Sequence, residues 1–256
     1  GYAPIMAYIG TEGYFVNTQL RVGKQHCQKE TPDFLRETIE LCRQLTDKPL
    51  LIRLDSGNDA SENIGIFMEE SYRYNNVSFI IKRNPRQESK EEWLASVKDC
   101  CTNIQKPRDG KTVYIGQTFR DVTYTLPNKT EKTAGIRTIY EITERTIDKH
   151  GQYFIVPDIE LDTYWTNLPL SDQNIIDLYH AHGESEQYHS EIKTDMDVER
   201  LPSGKFDSNK LVLELTIIAY NILRIVGQES LKKRDDPGRK KVRQRRIRTI
   251  ISNLMQ

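Results

Sequence analysis

The chain has 256 residues, with 37 basic residues balanced by 37 acidic ones, 37% apolar and 29% charged residues. That length supports one large domain or two small ones with a real core. No run approaches about 18 apolar residues and no basic-then-apolar leader opens the chain, so neither a membrane span nor a secretory signal is expected. Cys27, Cys42, Cys100 and Cys101 form no C-x-x-C pair, which fits a reduced, cytosolic chain. A zinc site using His26 and Cys27 is conceivable, but the paired spacing of structural zinc sites is missing.

In chain order, Ala3–Ile9 and Tyr14–Arg21 read as strands joined by the turn Gly10-Thr11-Glu12-Gly13, a hairpin. Thr31 as N-cap and Pro32 at the first helical position start a helix carrying Phe34, Leu35, Ile39, Leu41 and Leu45. Leu50–Leu54 is a short buried-type strand ending in Asp55-Ser56-Gly57. Glu62–Tyr74 is a helix and Val77–Lys82 a strand. The order β-β-α-β-α-β implies a mixed sheet with helices on its faces.

From about Arg83 the pattern changes. A short helix over Glu91–Cys101 precedes four Thr-, Tyr-, Ile- and Val-rich segments: Lys111–Phe119, Val122–Leu126, Ile136–Thr146 and Gln152–Asp158. This is expected to be an all-β insertion in the α/β domain. After Leu168-Pro169-Leu170, Ser171 caps a helix with Asp172 in its first turn. A longer helix, Asn209–Gly227, carries Leu211, Val212, Leu215, Ile218, Ala219, Ile222, Leu223 and Val226, a stripe suited to packing on the sheet.

Three features could carry chemistry. Asp55 sits at the C-terminal end of an apolar strand, where open α/β sheets place ligand sites, although a turn Asp capping the next element would look the same. Tyr179, His182, Glu186 and Lys193 stand at offsets 0, 3, 7 and 14. On one helix they would fall at roughly 0°, 300°, 340° and 320°, one polar face. That face is either a wet surface or a site, and Gly183 within it weakens the single helix. Between Lys232 and Arg248 stand ten basic residues, among them Lys240, Lys241, Arg243, Arg245 and Arg246, opposed only by Asp235 and Asp236. Such density suggests a polyanion partner or a solvated basic tail.

The run Tyr179-x-x-His182-x-x-x-Glu186-x-x-x-x-x-x-Lys193 resembles the Y-(2)-R-(3)-E-(6)-K signature of DDE insertion-sequence transposases. The run Glu199-Arg200-Leu201-Pro202-Ser203-Gly204-Lys205-Phe206, Asn209, and Tyr220-Asn221-Ile222-Leu223-Arg224 resemble the same group, as does Gly1-Tyr2-Ala3-Pro4. The resemblance implies an RNase H-like α/β mixed sheet with flanking helices, interrupted by the insertion. It divides the chain into core residues 1–84, insertion 85–168, a helical completion 169–228 and a basic segment 229–256.

It further implies Mg²⁺- or Mn²⁺-dependent hydrolysis at insertion-sequence ends followed by strand transfer. Such chemistry uses two hard cations held by carboxylates over a phosphate. Asp55 and Glu186 match the second and third catalytic acids and would be metal ligands that meet at one end of the sheet. Tyr179, His182 and Lys193 would grip DNA. His182 stands where Arg is usual and lacks its bidentate fork. Trp165 stands where an aromatic can stack on a displaced base, though a core tryptophan would also fit. The basic segment would hold flanking or target DNA. The first catalytic Asp would precede Gly1, so the chain reads as a fragment. Implied partners are double-stranded DNA, at element ends and target, and a second copy in a homodimer. A cytoplasmic, prokaryotic, DNA-associated protein follows from the same resemblance. Two other readings stay open: an inactive DNA-binding remnant, and an RNase H-fold nuclease without strand transfer.

Overall fold

The computed structural model describes residues 1–24, 28–126, 129–181, 184–232, 242 and 244–254. In chain order the elements are β1 (Ile5–Ile9), β2 (Tyr14–Gln19), α1 (Thr31–Leu45), β3 (Leu50–Leu54), α2 (Ser61–Tyr74), β4 (Val77–Arg83), α3 (Lys90–Lys98) and β5 (Asn103–Arg108). They continue with β6 (Lys111–Thr125), β7 (Glu131–Ile147), β8 (Tyr153–Thr166), α4 (Asp172–His180), α5 (Glu184–Ser190), α6 (Phe206–Lys232) and α7 (Ile247–Leu254). A 3₁₀ turn, Ser56–Asn58, follows β3, and a π-helical turn, Glu191–Asp195, follows α5. The chain divides into two units. Unit 1 comprises Gly1–His26, Arg36–Thr46 and His182–Gln256; unit 2 comprises Cys27–Leu35 and Asp47–Ala181.

Unit 2 is built on a six-stranded sheet ordered β3-β4-β8-β7-β6-β5. β3 and β4 are parallel and every other pair is antiparallel, so the sheet is mixed. Successive strand residues face opposite sides, and both sides are apolar. Val113, Ile115, Ile139, Ile80 and Tyr164 pack with Ile175 and Ile176 of α4. Tyr114, Tyr140, Ile142 and Leu161 pack instead with Leu94 and Val97 of α3. α2 lies against β4 and β6, with Phe67 stacked on Phe79 at 5.0 Å. Gly65 permits this approach, since a Cβ there would stand 2.7 Å from the Tyr124 ring.

Unit 1 starts with the expected hairpin, β1 antiparallel to β2. Its turn needs a glycine at position 13: φ is +71°, and a Cβ would lie 2.3 Å from the Tyr188 ring. Phe15, Ile192, Tyr220, Ile247 and Ile250 form the core, with Met6 and Tyr8 packed against it. The Asn221 side chain donates to and accepts from the Phe15 backbone, both at 2.9 Å, so it serves the outer edge of β2 as another strand would. Asn209 likewise clamps Ser203, accepting from its N–H at 3.0 Å and donating to its carbonyl at 2.6 Å. This fixes the Leu201-Pro202-Ser203-Gly204 loop before α6.

The strands depart from the sequence reading in length. Lys111–Phe119 and Val122–Leu126 join into one strand, β6, because β7 pairs with it without interruption from Lys111↔Arg145 to Thr125↔Glu131. β5 escaped a reading based on apolar alternation, since its residues Asn103–Arg108 are mostly polar and exposed. β8 runs on to Thr166 and pairs with β4, whereas α3 falls where the short helix over Glu91–Cys101 was expected. β1 and β2 form a two-stranded sheet apart from the six-stranded one.

On α6 only part of the anticipated stripe turns inward, with Leu223 and Val226 packed on the unit 1 core. Asn209, Leu213, Tyr220, Arg224 and Gly227 are buried, whereas Leu211, Leu215, Ile218 and Ile222 are 55–58% exposed. Asn221 and Arg224 make their polar contacts from the inward side. By length and composition α6 could cross a membrane, unlike the expectation from apolar runs alone. Its buried face carries an ion-paired arginine within unit 1.

The fold is therefore mixed α/β: a mixed sheet with helices on both faces, accompanied by a helical unit that carries a hairpin.

Candidate functional site

The apolar strand β3 delivers Asp55 to its C-terminal end, where the chain leaves in a 3₁₀ turn. Asp55 caps that turn: its Oδ1 accepts from the Gly57 N–H at 3.1 Å and from Asn58 Nδ2 at 2.8 Å. Oδ2 has no donor among the described residues, and the side chain is exposed. The capping and functional readings thus use different oxygens of one carboxylate. Asp59, four residues on, contrasts with it. It is buried, and its two oxygens accept from Trp165 Nε1 at 2.8 Å and the Asn84 N–H at 2.9 Å.

Tyr179 projects from α4 beside the same strand end. Arg53 of β3 anchors the α4 C-terminus by donating to the Leu178 carbonyl at 2.8 Å. Burial, then the charges of Asp55 and Asp162, push the Tyr179 phenol up to about 12. It therefore stays protonated at neutral pH, a donor facing an acidic neighbourhood. Lys82 and Asp162, which the sequence reading did not single out, form an ion pair at 2.7 Å across β4 and β8.

The segment carrying the other candidates is not one helix. α4 stops at His180 and α5 starts at Glu184, so Tyr179 belongs to unit 2 and Glu186 to unit 1. Glu186 and Lys193 do share a place: both line a groove of about 480 Å³ with His189, Ser190, Thr194 and Glu199. Both are exposed, and neither charge has a partner among the described residues. The widened turn Glu191–Asp195 sets where Lys193 falls relative to Glu186. His182, Lys240, Lys241 and Arg243 lie outside the described residues, as do His26 and Cys27.

Trp165 is on β8, 7% exposed, with the Arg83 guanidinium 5.3 Å from its ring. Its remaining surface lines a cavity of about 740 Å³ bounded by Asp59, Ser61, Arg83, Arg86 and Glu88. Arg245 and Arg246 are engaged inside unit 1. Arg245 is 4% exposed and donates to Ser230 Oγ at 2.7 Å. Arg246 forms a two-pronged contact with Asp195, at 2.8 and 3.1 Å, and reaches Ser190 Oγ at 3.1 Å. Asp195 also accepts from the Arg248 N–H at 3.1 Å, which caps α7. The sequence signalled the density of this basic run but not the partners of individual arginines.

Beneath the groove lies a network that sequence reasoning missed. Glu191 is fully buried. Its Oε2 accepts from Arg224 Nη2 and, at 2.8 Å, from the Tyr220 hydroxyl. Its Oε1 accepts from Gln187 at 3.0 Å. A polar residue every few positions along an otherwise apolar helix, such as Tyr220 and Arg224 in α6, was the available signal.

Taken singly, Asp55 in unit 2 and Glu186 in unit 1 each offer an exposed carboxylate, a hard oxygen donor, whereas both oxygens of Asp59 are occupied. Among the described residues, no group of three His, Cys, Asp or Glu side chains is placed to hold a metal ion.

Comparison with known proteins places this fold among DDE-type transposase domains. The family described as Transposase DDE domain group 1 matches residues 1–256, and the chain belongs to it. No curated protein matches the chain. Among solved structures, the chain is similar to a chain of the piggyBac transposase synaptic complex with hairpin DNA, at 11% identity and a TM-score of 0.49. The match covers 98% of this chain and 45% of that one, so the chain spans under half of the neighbour's length.

Proposed function

We propose that this chain is the DNA-cutting and joining part of a transposase. It would cleave phosphodiester bonds at the ends of an insertion sequence and transfer the freed strand to target DNA. Residues 1–84 and the helical completion 169–228 would form an RNase H-like core interrupted by the insertion 85–168. The reading is carried by Asp55: a solvent-facing acid at a strand end, with one oxygen held and the other unoccupied, in a chain matched throughout by a DDE family.

In this reading Asp55 and Glu186 would be ligands for Mg²⁺ or Mn²⁺, whose chemistry when bound would be activation of an attacking oxygen and stabilisation of a leaving one. Tyr179 donates a hydrogen bond to a phosphate oxygen, and Lys193 supplies charge to the DNA backbone. His182, Lys240, Lys241 and Arg243 add contacts of the same kind, and Trp165 offers a stacking edge. Arg246 is paired with Asp195, so it would reach phosphate only by exchanging that partner. Arg245 would stay in the fold. The substrate is double-stranded DNA, bound by a homodimer in the cytoplasm of a prokaryotic cell.

The test compares the full-length protein with its Asp55→Asn and Glu186→Gln variants on labelled element-end DNA with Mg²⁺ or Mn²⁺. Nicking and strand joining should occur with the parent and vanish in both variants, with DNA retention unchanged. Nicking without joining would favour a plain nuclease. DNA retention without nicking would favour an inactive remnant. A spin-label distance between positions 55 and 186 too long to share a phosphate would sink the metal assignment.

A further inference from the structure

Glu186 and Lys193 present their charges on one groove, yet among the described residues neither is held by a side-chain partner of its own. Their placement depends on the backbone that connects them. That backbone widens into a π turn at Glu191–Asp195, where the Met196 N–H reaches the Glu191 carbonyl at 3.1 Å. Such wide turns are rare and recur at functional sites.

What holds this one is Glu191, the first residue of the turn. Its carboxylate is fully buried and ion-paired with Arg224, itself 1% exposed. The Arg224 Nη2 also donates to the Tyr220 hydroxyl at 2.5 Å, and its Nη1 to the Arg245 carbonyl at 2.8 Å. Gln187, next to Glu186, donates to the second Glu191 oxygen at 3.0 Å. Tyr188, on the other side of Gln187, is fixed by its hydroxyl to the Thr11 carbonyl at 2.8 Å. At the far end of the turn, Asp195 is held by Arg246. A buried ion pair is weak evidence for stability, since well-packed apolar groups of similar volume do as well or better. Here it fixes direction and register at a junction flanked by two exposed charges.

We propose that Glu191 is a positioning residue for the metal site: through Gln187 and the π turn it sets the Glu186 carboxylate and the Lys193 ammonium on a shared face. This rests on Glu186 being a metal ligand. Partners that orient a ligand from behind change metal affinity by about 10- to 100-fold when removed.

Iron-directed hydroxyl-radical cleavage of the full-length protein tests the inference without needing turnover. Fe²⁺ replaces Mg²⁺, and ascorbate with peroxide cuts the backbone near the bound ion. The parent should be cut near residue 186, with competition by Mg²⁺. Glu191→Gln and Tyr220→Phe should raise the Fe²⁺ needed for the cut near 186 by about 10-fold or more. Ile250→Val, a core change in the same unit, should leave it unaltered. Equal cutting in the parent and Glu191→Gln would overturn the inference while leaving the metal reading intact. Loss of the cut in Ile250→Val to the same degree, at matched thermal stability, would also overturn it, showing ordinary structural support. No Mg²⁺-competed cut near 186 in the parent would instead bring down the metal reading itself.

Discussion

The two units place their exposed acids by opposite means. In unit 2, Asp55 is set locally: an apolar strand ends, and the residue's own turn, through Gly57 and Asn58, orients one oxygen. In unit 1, Glu186 is set by a buried charge network whose members Tyr220 and Arg224 lie 29 and 33 positions from Glu191. Unit 2 packs apolar clusters under helices on both sheet faces and also buries Asp59, Asn63, Glu70 and Arg83. Unit 1 buries Glu191, Arg224 and Asn209 as well as its apolar core. A locally set acid tolerates change in its surroundings, whereas a network-set acid inherits every fault in the network.

That contrast can be broken by mutation. Arg224→Leu strands the Glu191 charge in the interior and should cost unit 1 about 3–5 kcal/mol, with much of the loss recovered in the double change with Glu191→Leu. Trp93 and Trp165 both belong to unit 2. Urea melting followed by far-ultraviolet dichroism should therefore reveal the loss, while tryptophan fluorescence stays near the parent curve. Coincident shifts in both signals would show one cooperative body and end the distinction.

Gly65→Ala makes the reciprocal test. Its new methyl group meets the Tyr124 ring, so unit 2 should lose about 1–3 kcal/mol, read this time by fluorescence. Alkaline titration sharpens the same contrast. Burial raises Tyr179 from about 10 to about 12, so the stability it contributes is present below pH 10 and lost as pH rises to about 12. Absorbance at the phenolate band should show Tyr179→Phe losing a late-ionising group and becoming less sensitive to alkali. The smallest effect belongs to Asp55→Asn. It keeps the capping oxygen on an exposed residue and should alter thermal stability by no more than about 0.5 kcal/mol. A larger loss would mean that Asp55 serves the fold first.

Much of the architecture was legible because it follows local rules. The hairpin at Gly10–Gly13, the Ser171 cap, whose oxygen accepts from the Asn174 N–H at 3.3 Å, and the strand ending at Asp55 all depend on neighbours in sequence. β5 and the continuous β6 were not legible, because pairing with a distant strand stabilises residues of poor intrinsic preference. The inward face of α6 was legible only in part: Leu223 and Val226 of the aliphatic stripe reach the core, while Asn221 and Arg224 make their polar contacts from the inward side.

By itself the sequence determined where chemistry-bearing residues stand along the chain: an acid after an apolar strand, an acid and a lysine seven apart, and a run of basic residues. Covalent order and local backbone preference are enough for that. Only the tertiary structure decided which charges remain available. It occupied both oxygens of Asp59, buried Glu191 against Arg224, committed Arg245 and Arg246 within unit 1, and left Asp55, Glu186 and Lys193 exposed. Whether a charge is spent or available depends on partners brought near by folding, and a buried ion keeps its charge only when such a partner arrives.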